Sequence, residues 1–580
     1  MIGNGDIATL LYELARLTTL EDGSPQSFRV RAYEKAARAV ETATEPVAEL
    51  SQSALTKVGG IGSSTAKKIR ELADSGSIAK LEALRERYPP AFVEITRIPG
   101  VGPKTALAVR EQLGVETVED LKAALDAEKL RDIPGLGART EENIRRSIER
   151  LGIGGKDRRT PVIEAMRTAR DVLAALRQVD GVERVEYMGS LRRFRETIGD
   201  IDIIAVTSGD ADTVMDRFVH LPVVREVVAF GGRKSAIISS SGLQIDLRVV
   251  EPHQFGAAAI YFTGSKAHNI VLRQMAIDRG WTLNEYALSD AGTGEVIASE
   301  TEEEVYGALG LAWVPPTIRE DAGEFELAAD DALRAFAAEG DLRGDLHVHT
   351  DESGDGRDSI TAMLDACVER GYAYVAITDH GEDLAINGLS RERMLGQRSV
   401  IEALRERYDL EILHGVELNI GPEGTIDYDA GFLAGFDFGV ASVHSHFDLD
   451  AATETARVIA AMENPAVNVI GHLTGRMIGR RPGIELDIGA VLDAAARTGC
   501  ALEINSHLDR LDAPAEVLRL AREREDVLFA ISTDAHEVAE LANSRWGVLQ
   551  AQRGWVPKDR IVNTWPADRF LEWAAAKRMG

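Results

Sequence analysis

Three aspartates are the residues of this sequence best suited to metal-dependent phosphate chemistry. Asp200 and Asp202 are two residues apart in a β-type run, so both carboxylates leave the same face of the strand. Asp246 lies alone in another apolar run, LQIDLRVV, where an unpaired carboxylate is costly to bury. Carboxylates side by side repel each other unless a cation lies between them, and two divalent ions serve this purpose in phosphoryl transfer. The aspartates therefore predict a catalytic site that holds Mg²⁺ or Mn²⁺.

The segment that leads into these aspartates is GSLRRFRETIGDID (189–202). Gly189 and Ser190 offer a small turn with an amide and a hydroxyl for a triphosphate, and Arg192 and Arg193 follow directly. An Asp-x-Asp pair alone is common in surface turns, whereas this leader and the pair together are not. The segment therefore predicts a nucleotide-transfer site.

Histidines indicate a second site, because nine of the twelve lie between His347 and His536. His347 and His349 are two apart in a strand-like run, which suits a single metal ion. Further candidate ligands end other apolar runs: His380, Glu417, His444, His472, Asp534 and His536. One such histidine alone would most often be structural. Together, histidine and carboxylate ligands without cysteine suit Mn²⁺, Zn²⁺ or Fe²⁺.

A short glycine pattern occurs three times near the N-terminus, at 58–69, 98–109 and 133–144. Its glycines permit a tight turn, and the amides at the following helix start can contact a backbone phosphate. One copy would be explained equally well as a structural turn, but three copies favour the helix-hairpin-helix pattern of DNA binders. The expected DNA-binding residues are Gly60, Gly62, Lys67, Lys68, Gly100, Gly102, Lys104, Gly135 and Gly137.

Composition predicts a multidomain globular chain. It has 580 residues, 44% apolar and 28% charged, which is too long for one hydrophobic core. The net charge of −28 argues only weakly against nucleic acid, since the location of charges matters more than their sum. Cys367 and Cys500 form no CxxC pair, which fits a reducing cytoplasm. We expect neither a secretory signal nor a membrane span.

The fold class expected is multidomain α+β. Helical patterns dominate the N-terminal stretch, and four β-type runs follow between about 161 and 250: VERVEYMGS, DIDIIAVT, SAIISSS and LQIDLRVV. After a Pro-Pro stretch at 312–325, seven strand-like runs alternate with helices: DLHVHT, YVAITDH, EILHGVELNI, FGVASVHS, VNVIGHL, CALEIN and FAISTDA. This alternation predicts a distorted parallel (β/α)-barrel whose strand ends carry the chemistry.

The 189–202 segment and YFTGSKAHNIVLRQMAIDRGWTLNEYAL (261–288) together resemble the family-X, polymerase beta-like DNA polymerases. Ala287 departs from the glycine usual there. The resemblance implies a small gap- and 5′-phosphate-binding domain (1–82), fingers with helix-hairpin-helix motifs (83–155), a palm (156–258) and a thumb (259–320).

The same resemblance implies roles for individual residues. Asp200, Asp202 and Asp246 would hold the catalytic metals, and Asp246 would help to activate the primer 3′-hydroxyl. The implied nucleotide-binding residues are Gly189, Ser190, Arg193 and Gly199 for the triphosphate, Tyr261, Phe262 and Gly264 for the sugar, and Asn269 and Arg273 for the nascent pair or template.

Lys68 occupies the place of the family's Schiff-base lyase lysine. Attack on a sugar aldehyde requires a lowered pKa, so we expect Lys68 first as a 5′-phosphate contact, with lyase activity as an addition. Lys67, Arg29 and Arg31 are candidates to share that contact.

Residues 341–580 resemble the PHP phosphoesterases, after a linker at 321–340. The resemblance implies three divalent metals: one on His347, His349, Glu417 and Asp534, a second on His444, His472 and the shared Glu417, and a third on Asp355, His380 and His536. Asp351 is the alternative to Asp355, because the run ESGDG (352–356) is one residue longer than usual. The remaining histidines of this part, His414, His446 and His507, would be structural or face substrate, and Arg476 would hold a substrate phosphate or lie at the surface.

The function expected is short-gap filling in DNA repair, with trimming of 3′ ends and abasic-site cleavage as activities of the C-terminal part. Gapped or nicked DNA and dNTPs are the expected partners of a monomeric, cytoplasmic enzyme that contacts no membrane. The alternatives are a PHP domain that hydrolyses a small phosphate ester, and a DNA end-binding scaffold with both sites vestigial. Retention of all three aspartates speaks against the scaffold.

Overall fold

The computed structural model describes residues 4–24, 26–41, 43, 47–96, 98, 100–151, 159–330, 332–384 and 386–579. Pro99 of the second glycine pattern and the predicted boundary at 155 and 156 lie outside these residues. The chain forms a helical part, a five-stranded mixed sheet, a three-stranded sheet and a seven-stranded parallel sheet, in that order. Among the described residues, no helix is long and apolar enough to cross a membrane.

Among the residues described up to 151, nine helices build the N-terminal part around one apolar core that runs from Ile7 to Ile148. They are Asn4–Asp22, Phe28–Glu41, Gln52–Leu55, Ser63–Ser75, Ala79–Arg87, Pro90–Ile95, Pro103–Leu113, Val118–Asp126 and Ala138–Leu151. The first two pack against each other as an antiparallel pair, and the rest are short helices joined by tight turns.

The three glycine patterns adopt the same turn. The first glycine of each has a positive φ, +97° at Gly60, +91° at Gly100 and +88° at Gly135, which a residue with a Cβ rarely adopts. The apolar residue between the glycines is buried in every copy: Ile61, Val101 and Leu136. A helix begins directly after the second glycine in each case. The repeat predicted from the sequence is therefore also a structural repeat.

The five-stranded sheet has the spatial order Val182–Tyr187, Asp200–Thr207, Gln244–Val250, Lys234–Ser239 and Val224–Ala229. The pair Asp200–Thr207 and Gln244–Val250 is parallel and the other pairs are antiparallel. The helices of this part are Val162–Leu176, Gly189–Arg192 and Ala211–Val219, and Thr160–Pro161 pairs with Thr197–Ile198. The four predicted strands are confirmed, whereas the edge strand Val224–Ala229 was missed.

The next part combines the helices Phe255–Thr263, Lys266–Ile277 and Glu302–Ala308 with a small antiparallel sheet of Trp281–Leu283, Leu288–Asp290 and Val296–Ala298. A 3₁₀ turn at Pro316–Ile318 ends this part. The expected linker (321–340) is folded against it, with a helix at Glu324–Ala329 and 3₁₀ turns at Ala332–Ala335 and Glu339–Asp341. Glu324 is fully buried, with its carboxylate 2.7 Å from His268 Nδ1. This contact anchors the segment to the helix Lys266–Ile277.

All seven predicted strands of the C-terminal part are present and pair in sequence order. They are Gly344–Val348, Tyr374–Ile377, Glu411–Asn419, Phe438–Ser442, Val469–Ile470, Ala501–Asn505 and Phe529–Ser532. Helices surround them at Ile360–Glu369, Arg391–Arg405, Ala430–Leu433, Ala451–Glu463, Ile488–Thr498, Ala515–Leu520, Ser544–Arg553 and Ala567–Met579. A parallel bridge between Val348 and Ala535 brings the first and last strands together, so the barrel is nearly closed. The predicted distorted barrel is confirmed.

The five-stranded sheet and the barrel pack directly against each other. One apolar cluster includes Leu508, Leu511 and Trp546 of the barrel together with the core of the five-stranded part. Phe194, four residues after Ser190, stacks on Trp546 with ring centroids 5.6 Å apart and planes within 9°. The loop that carries the predicted triphosphate contacts is thus fixed on the barrel.

Candidate active sites

The strand register brings the three aspartates together. Asp202 and Asp246 are directly opposite each other on neighbouring parallel strands, and Asp200 projects from the same face as Asp202. The Gln244 amide donates to Asp246 Oδ1 at 2.8 Å and so orients that carboxylate. The alternating apolar residues Ile201 and Ile203 are buried in the core behind the sheet.

The electrostatics of this cluster favour a bound cation. Burial, together with repulsion from Asp200 and Asp246, raises the pKa of Asp202 to about 7. Burial and Asp246 also raise the pKa of Asp200. A divalent ion between the carboxylates would remove this repulsion, because each carboxylate would then face positive charge. The donor set therefore fits Mg²⁺ or Mn²⁺.

Gly189 approaches the aspartates so closely that no side chain fits. Its φ is +61°, and a Cβ built there would overlap the Asp202 carboxylate. The Met188 amide also donates to the Asp202 carbonyl at 2.7 Å. The turn before the strand is thus fitted directly onto the metal-binding face.

A cavity of about 520 Å³ opens beside the aspartates, within the range of roughly 300–1,000 Å³ usual for small-molecule sites. It is lined by Asp200, Asp202 and by all nine predicted nucleotide-binding residues: Gly189, Ser190, Arg193, Gly199, Tyr261, Phe262, Gly264, Asn269 and Arg273. Arg159 and Lys266 also line it and were missed. Lys266 stands inside the quoted 261–288 motif, whereas no pattern in the sequence marks Arg159.

Side chains on two helices form the far wall of the cavity. Tyr261 and Phe262 pack edge to face with ring centroids 4.9 Å apart, and the Arg273 guanidinium lies over the Tyr261 ring. The Asn269 amide donates to the Tyr261 carbonyl at 2.8 Å, while its Oδ1 atom is buried without a partner among the described residues. A buried unsatisfied acceptor beside an aromatic wall is available to a ligand.

The two arginines of the motif, Arg192 and Arg193, have different partners. Arg193 lines the cavity and donates to the Thr263 carbonyl and, at 3.1 Å, to Glu320. Arg192 instead forms a two-pronged ion pair with the buried Glu302, at 2.8 Å for each bond. Arg193 is therefore the arginine of the motif that faces the cavity, whereas the Arg192 guanidinium joins two structural parts.

The predicted ligands of the barrel converge at the carboxyl ends of its strands around Glu417. Its carboxylate lies 2.7 Å from His380 Nδ1 and 3.2 Å from the Nε2 atoms of both His444 and His472. The Asp534 carboxylate lies 3.3 Å from His349 Nε2 and 3.6 Å from His347 Nε2. All nine predicted ligands belong to this cluster, hereafter the barrel cluster.

The Asp355 carboxylate completes the barrel cluster, 3.3 Å from His380 Nε2 and 3.5 Å from His536 Nε2. Asp351 is exposed and, in the described residues, makes no contact with the cluster. Three groups of potential ligands have their donor atoms within 4.8 Å of one another: His347, His349 and Asp534; His349, His380 and His536; and His380, Glu417 and His444. Because His349 and His380 each belong to two groups, the division of ligands among metals stays a prediction.

Buried atoms that find no hydrogen-bond partner in the described part of the chain show that this cluster fits metal ions. Six of the nine residues carry such an atom: His347, His349, Asp355, His380, Glu417 and His472. Burial and the neighbouring His536 and His380 lower the pKa of His349 to about 3, so its imidazole is neutral and able to bind a metal. The mixed donor set without cysteine suits Mn²⁺, Zn²⁺ or Fe²⁺.

A second layer of polar residues orients the ligands. Glu503 Oε1 lies 2.7 Å from His347 Nδ1, and Asn419 Oδ1 lies 2.8 Å from His444 Nδ1. Such partners fix the ring orientation and leave the opposite nitrogen for the metal. We missed Glu503, although an acidic residue within the apolar run CALEIN is the same signal that identified Asp246.

The remaining histidines and Arg476 have other surroundings. His414 is buried, stacks on Phe436 at 4.7 Å, and has its pKa lowered to about 4 by burial and Arg398, which is a structural role. His446 is exposed beside Ser445. Arg476 is not a free surface residue, because its guanidinium is 13% exposed and forms a two-pronged ion pair with Glu196, at 2.8 and 3.1 Å. Its contact with a substrate phosphate stays a prediction.

The expected DNA contacts lie on the surface of the helical part. Lys67, Lys104 and the second glycine of each repeat are exposed. Lys68 is half-buried, 3.2 Å from Ser64 Oγ and over the Tyr33 ring, and burial lowers its pKa. Arg29 is already paired with Glu21 and Asp22, so its charge is partly neutralised.

Comparison with known protein families identifies four parts of the chain. A helix-hairpin-helix domain matches residues 2–78, and a SAM-like helix-hairpin-helix tandem matches 92–150. The DNA polymerase beta thumb matches 258–320, and the PHP domain matches 345–507. The set of parts defines a polymerase beta-like chain joined to a PHP domain.

Known proteins agree with this class. The chain is 38% identical over 563 residues to the DNA polymerase/3′-5′ exonuclease PolX of Bacillus subtilis (strain 168), covering 96% of this chain and 97% of that one. It is 28% identical to a probable phosphatase of Thermoanaerobacter sp. (strain X514), over 38% of this chain and 89% of the relative. It is also 26% identical to DNA polymerase lambda of Rattus norvegicus, over 50% of this chain and 52% of that one. The chain belongs to the family-X DNA polymerases that carry a C-terminal PHP domain.

Proposed function

We propose that this chain is a DNA polymerase that extends a primer 3′ end with dNTPs in short gaps, and that its barrel trims 3′ ends as a 3′→5′ exonuclease. One observation carries the polymerase proposal. The three aspartates lie on two neighbouring strands beside a cavity of about 520 Å³ that all nine predicted nucleotide-binding residues line. The B. subtilis relative is named for both activities.

In the polymerase site, Asp200, Asp202 and Asp246 hold two divalent ions, Mg²⁺ or Mn²⁺, which supply charge neutralisation for the triphosphate and the attacking hydroxyl. Asp246 lies across from Asp202 on the neighbouring strand, where it takes the proton of the primer 3′-hydroxyl. Ser190 and Arg193 bind the triphosphate. Tyr261 and Phe262 form a flat wall for the deoxyribose, as part of the cavity lining.

In the barrel, the nine ligands hold three divalent metals, which supply Lewis-acid polarisation of a phosphodiester and a water nucleophile at neutral pH. The carboxylates of Glu417 and Asp534 lie among the histidine rings. Glu503 orients the imidazole of His347, and Asn419 orients that of His444. We propose DNA as the substrate because the same chain carries three helix-hairpin-helix turns, the pattern of DNA-binding proteins. Hydrolysis of a small phosphate ester remains the alternative for this site, since one relative is a probable phosphatase.

The helical part binds the gap from its 5′ side. The helix-hairpin-helix turns contact backbone phosphates through exposed amides, and Lys67 and Lys68 contact the 5′-phosphate. A second candidate activity is abasic-site lyase chemistry at Lys68, favoured by the lowered pKa of its amine. Borohydride trapping of a covalent complex with abasic DNA tests it, because Lys68→Ala must abolish the trapped product.

We place this activity in DNA repair, performed by a monomer in the cytoplasm. Both cysteines are buried and free, which suits a reducing compartment. The test is a labelled DNA with a one-nucleotide gap, incubated with Mg²⁺ or Mn²⁺ with and without dNTPs. We expect gap filling with dNTPs and stepwise shortening from the 3′ end without them. Release of phosphate from small esters, with no shortening of DNA, would favour the alternative for the barrel.

A further inference from the structure

Between the five-stranded sheet and the barrel lies a second cavity, of about 190 Å³, hereafter the interdomain cavity. Four arginines line it, Arg195 from the sheet side and Arg476, Arg481 and Arg553 from the barrel side, against two carboxylates, Glu196 and Glu516. The charge at this place is positive in a chain whose net charge is −28. Cavities lined by one sign of charge concentrate ligands of the opposite sign.

Two of these arginines lack a carboxylate partner. Glu196 is taken by Arg476, which leaves Arg481 and Arg553 without an ion pair in the described part of the chain. Arg553 is 4% exposed and donates to the Phe194 carbonyl at 2.8 Å. Arg481 donates to the Gly475 carbonyl at 2.9 Å and lies over the Phe447 ring. Glu196 also attracts Arg553, so one carboxylate faces two guanidiniums, and burial still lowers the pKa of Arg553. An anion in the cavity would supply the missing negative charge.

Like charges also face each other around the interdomain cavity. Arg195 is close enough to Arg553, and Arg510 to Arg481, for the repulsion to add to burial in lowering the pKa of Arg553 and of Arg481. Arg510 Nη1 is buried without a partner in the described residues, and its Nε is 3.7 Å from the Asp534 carboxylate. An anion between such arginines would replace repulsion by attraction.

Residues that line the interdomain cavity are bonded to residues at both active sites. On the sheet side, Thr197 lines it and accepts a hydrogen bond at 2.9 Å from Arg159, which itself lines the polymerase cavity. On the barrel side, Arg476 lines it and donates to the Arg510 carbonyl at 2.9 Å, and the Arg510 guanidinium is the one that lies 3.7 Å from Asp534. Arginines therefore occur from the polymerase cavity, through the interdomain cavity, to Asp534 of the barrel cluster.

We propose that the interdomain cavity binds backbone phosphates of a single-stranded DNA 3′ end as it passes between the polymerase cavity and the barrel cluster. The proposal rests on the proposed function of the two sites. At about 190 Å³ the cavity is smaller than the roughly 300–1,000 Å³ of small-molecule pockets, so it accommodates a phosphate group and not a whole nucleotide. Arginine is suited to this task, because its planar guanidinium binds phosphate oxygens in pairs.

The test is a transfer assay with the full-length chain. A labelled primer with a mispaired 3′ end is bound first, and Mn²⁺, dNTPs and excess unlabelled trap DNA are then added together. Only primers trimmed and extended in the same binding event are counted. We expect the double variant Arg195→Gln/Arg481→Gln to lower this fraction about 100-fold, the effect of two lost charge-assisted hydrogen bonds to phosphate at about tenfold each.

A matched control is Arg497→Gln, whose side chain is 60% exposed and paired with Glu463 away from both sites. This variant must transfer like the wild type. The double variant must extend a matched primer and hydrolyse bis(p-nitrophenyl) phosphate at wild-type rates. If matched extension falls, Arg481→Gln alone, which changes only the barrel side, must still lower transfer.

A binding measurement gives the second readout. The affinity for single-stranded DNA falls with salt, and each phosphate contact contributes about 0.7 to the steepness of log K against log salt. The dependence should therefore be less steep by about 1.4 in the double variant, and by less than that in Arg497→Gln. A double variant that transfers ends like the wild type overturns the proposal, even when it binds inorganic phosphate less tightly. This outcome differs from a failure of the proposed function, in which the wild type itself would not extend or shorten the primer.

Discussion

Replacing Gly189 by alanine should abolish polymerase activity in a folded protein. At φ +61° a residue with a Cβ costs roughly 1–2 kcal/mol, which is small beside the about 5–15 kcal/mol that stabilises a domain. The new Cβ would overlap the Asp202 carboxylate, and only displacement of Asp202 relieves that overlap. Because a misplacement of about 1 Å at reacting groups costs on the order of 100-fold, the extension rate should fall at least about 100-fold.

The matched control is Gly181→Ala, in the same part of the chain. Gly181 has φ +82°, so alanine suffers the same backbone strain, but its Cβ would be 3.6 Å from Thr207 Oγ1, an ordinary contact. Single-turnover extension of gapped DNA, 3′-end shortening and thermal unfolding are measured for both variants. Only Gly189→Ala should lose extension, with shortening unchanged. The reasoning is refuted if both variants extend equally fast, or if both lose extension together.

Three further predictions concern contacts of the barrel. Glu503→Gln removes the charge 2.7 Å from His347 Nδ1, so metal affinity should fall roughly 10–100-fold, measured as metal bound per chain after dialysis. Asp355→Asn should also lower metal content and 3′-end shortening, whereas Asp351→Asn should change neither; the reverse result would make Asp351 the ligand. Arg476→Met leaves the partly buried Glu196 without its ion-pair partner, so the free energy of unfolding should fall by about 1–3 kcal/mol, and Glu196→Gln added to it should recover part of this loss in calorimetry. An unchanged transition in Arg476→Met would show that the ion pair contributes nothing.

Local patterns predicted most of the fold, since each strand or turn was encoded by nearby residues. The seven barrel strands are short apolar runs, all buried, and the glycine repeats required a positive φ at the same position in each copy. The edge strand Val224–Ala229 was missed because most of its residues are exposed and backbone bonds to Lys234–Ser239 hold it in place. No alternation of apolar and polar residues marks such a strand.

Contacts between distant parts of the chain could not be predicted. Glu196 and Arg476 are 280 residues apart, and neither local sequence predicts a contact with the other. The same holds for Phe194 and Trp546, whose stacking fixes the triphosphate loop on the barrel. Arg192 and Arg193 are neighbours in the motif, yet Arg192 is paired with Glu302 and only Arg193 lines the polymerase cavity. Residue type and spacing identify groups that act locally, whereas tertiary packing decides which arginine is free for a ligand.

The central claim is that one chain holds two independent active sites, and paired single variants test it most directly. Labelled gapped DNA is incubated with Mn²⁺, with and without dNTPs, and both extension and shortening are followed. Asp202→Ala should abolish extension and spare shortening, because Asp202 belongs to the polymerase site alone. His349→Ala should abolish shortening and spare extension, because His349 belongs to the barrel cluster alone. Loss of both activities in Asp202→Ala would contradict the two-site account.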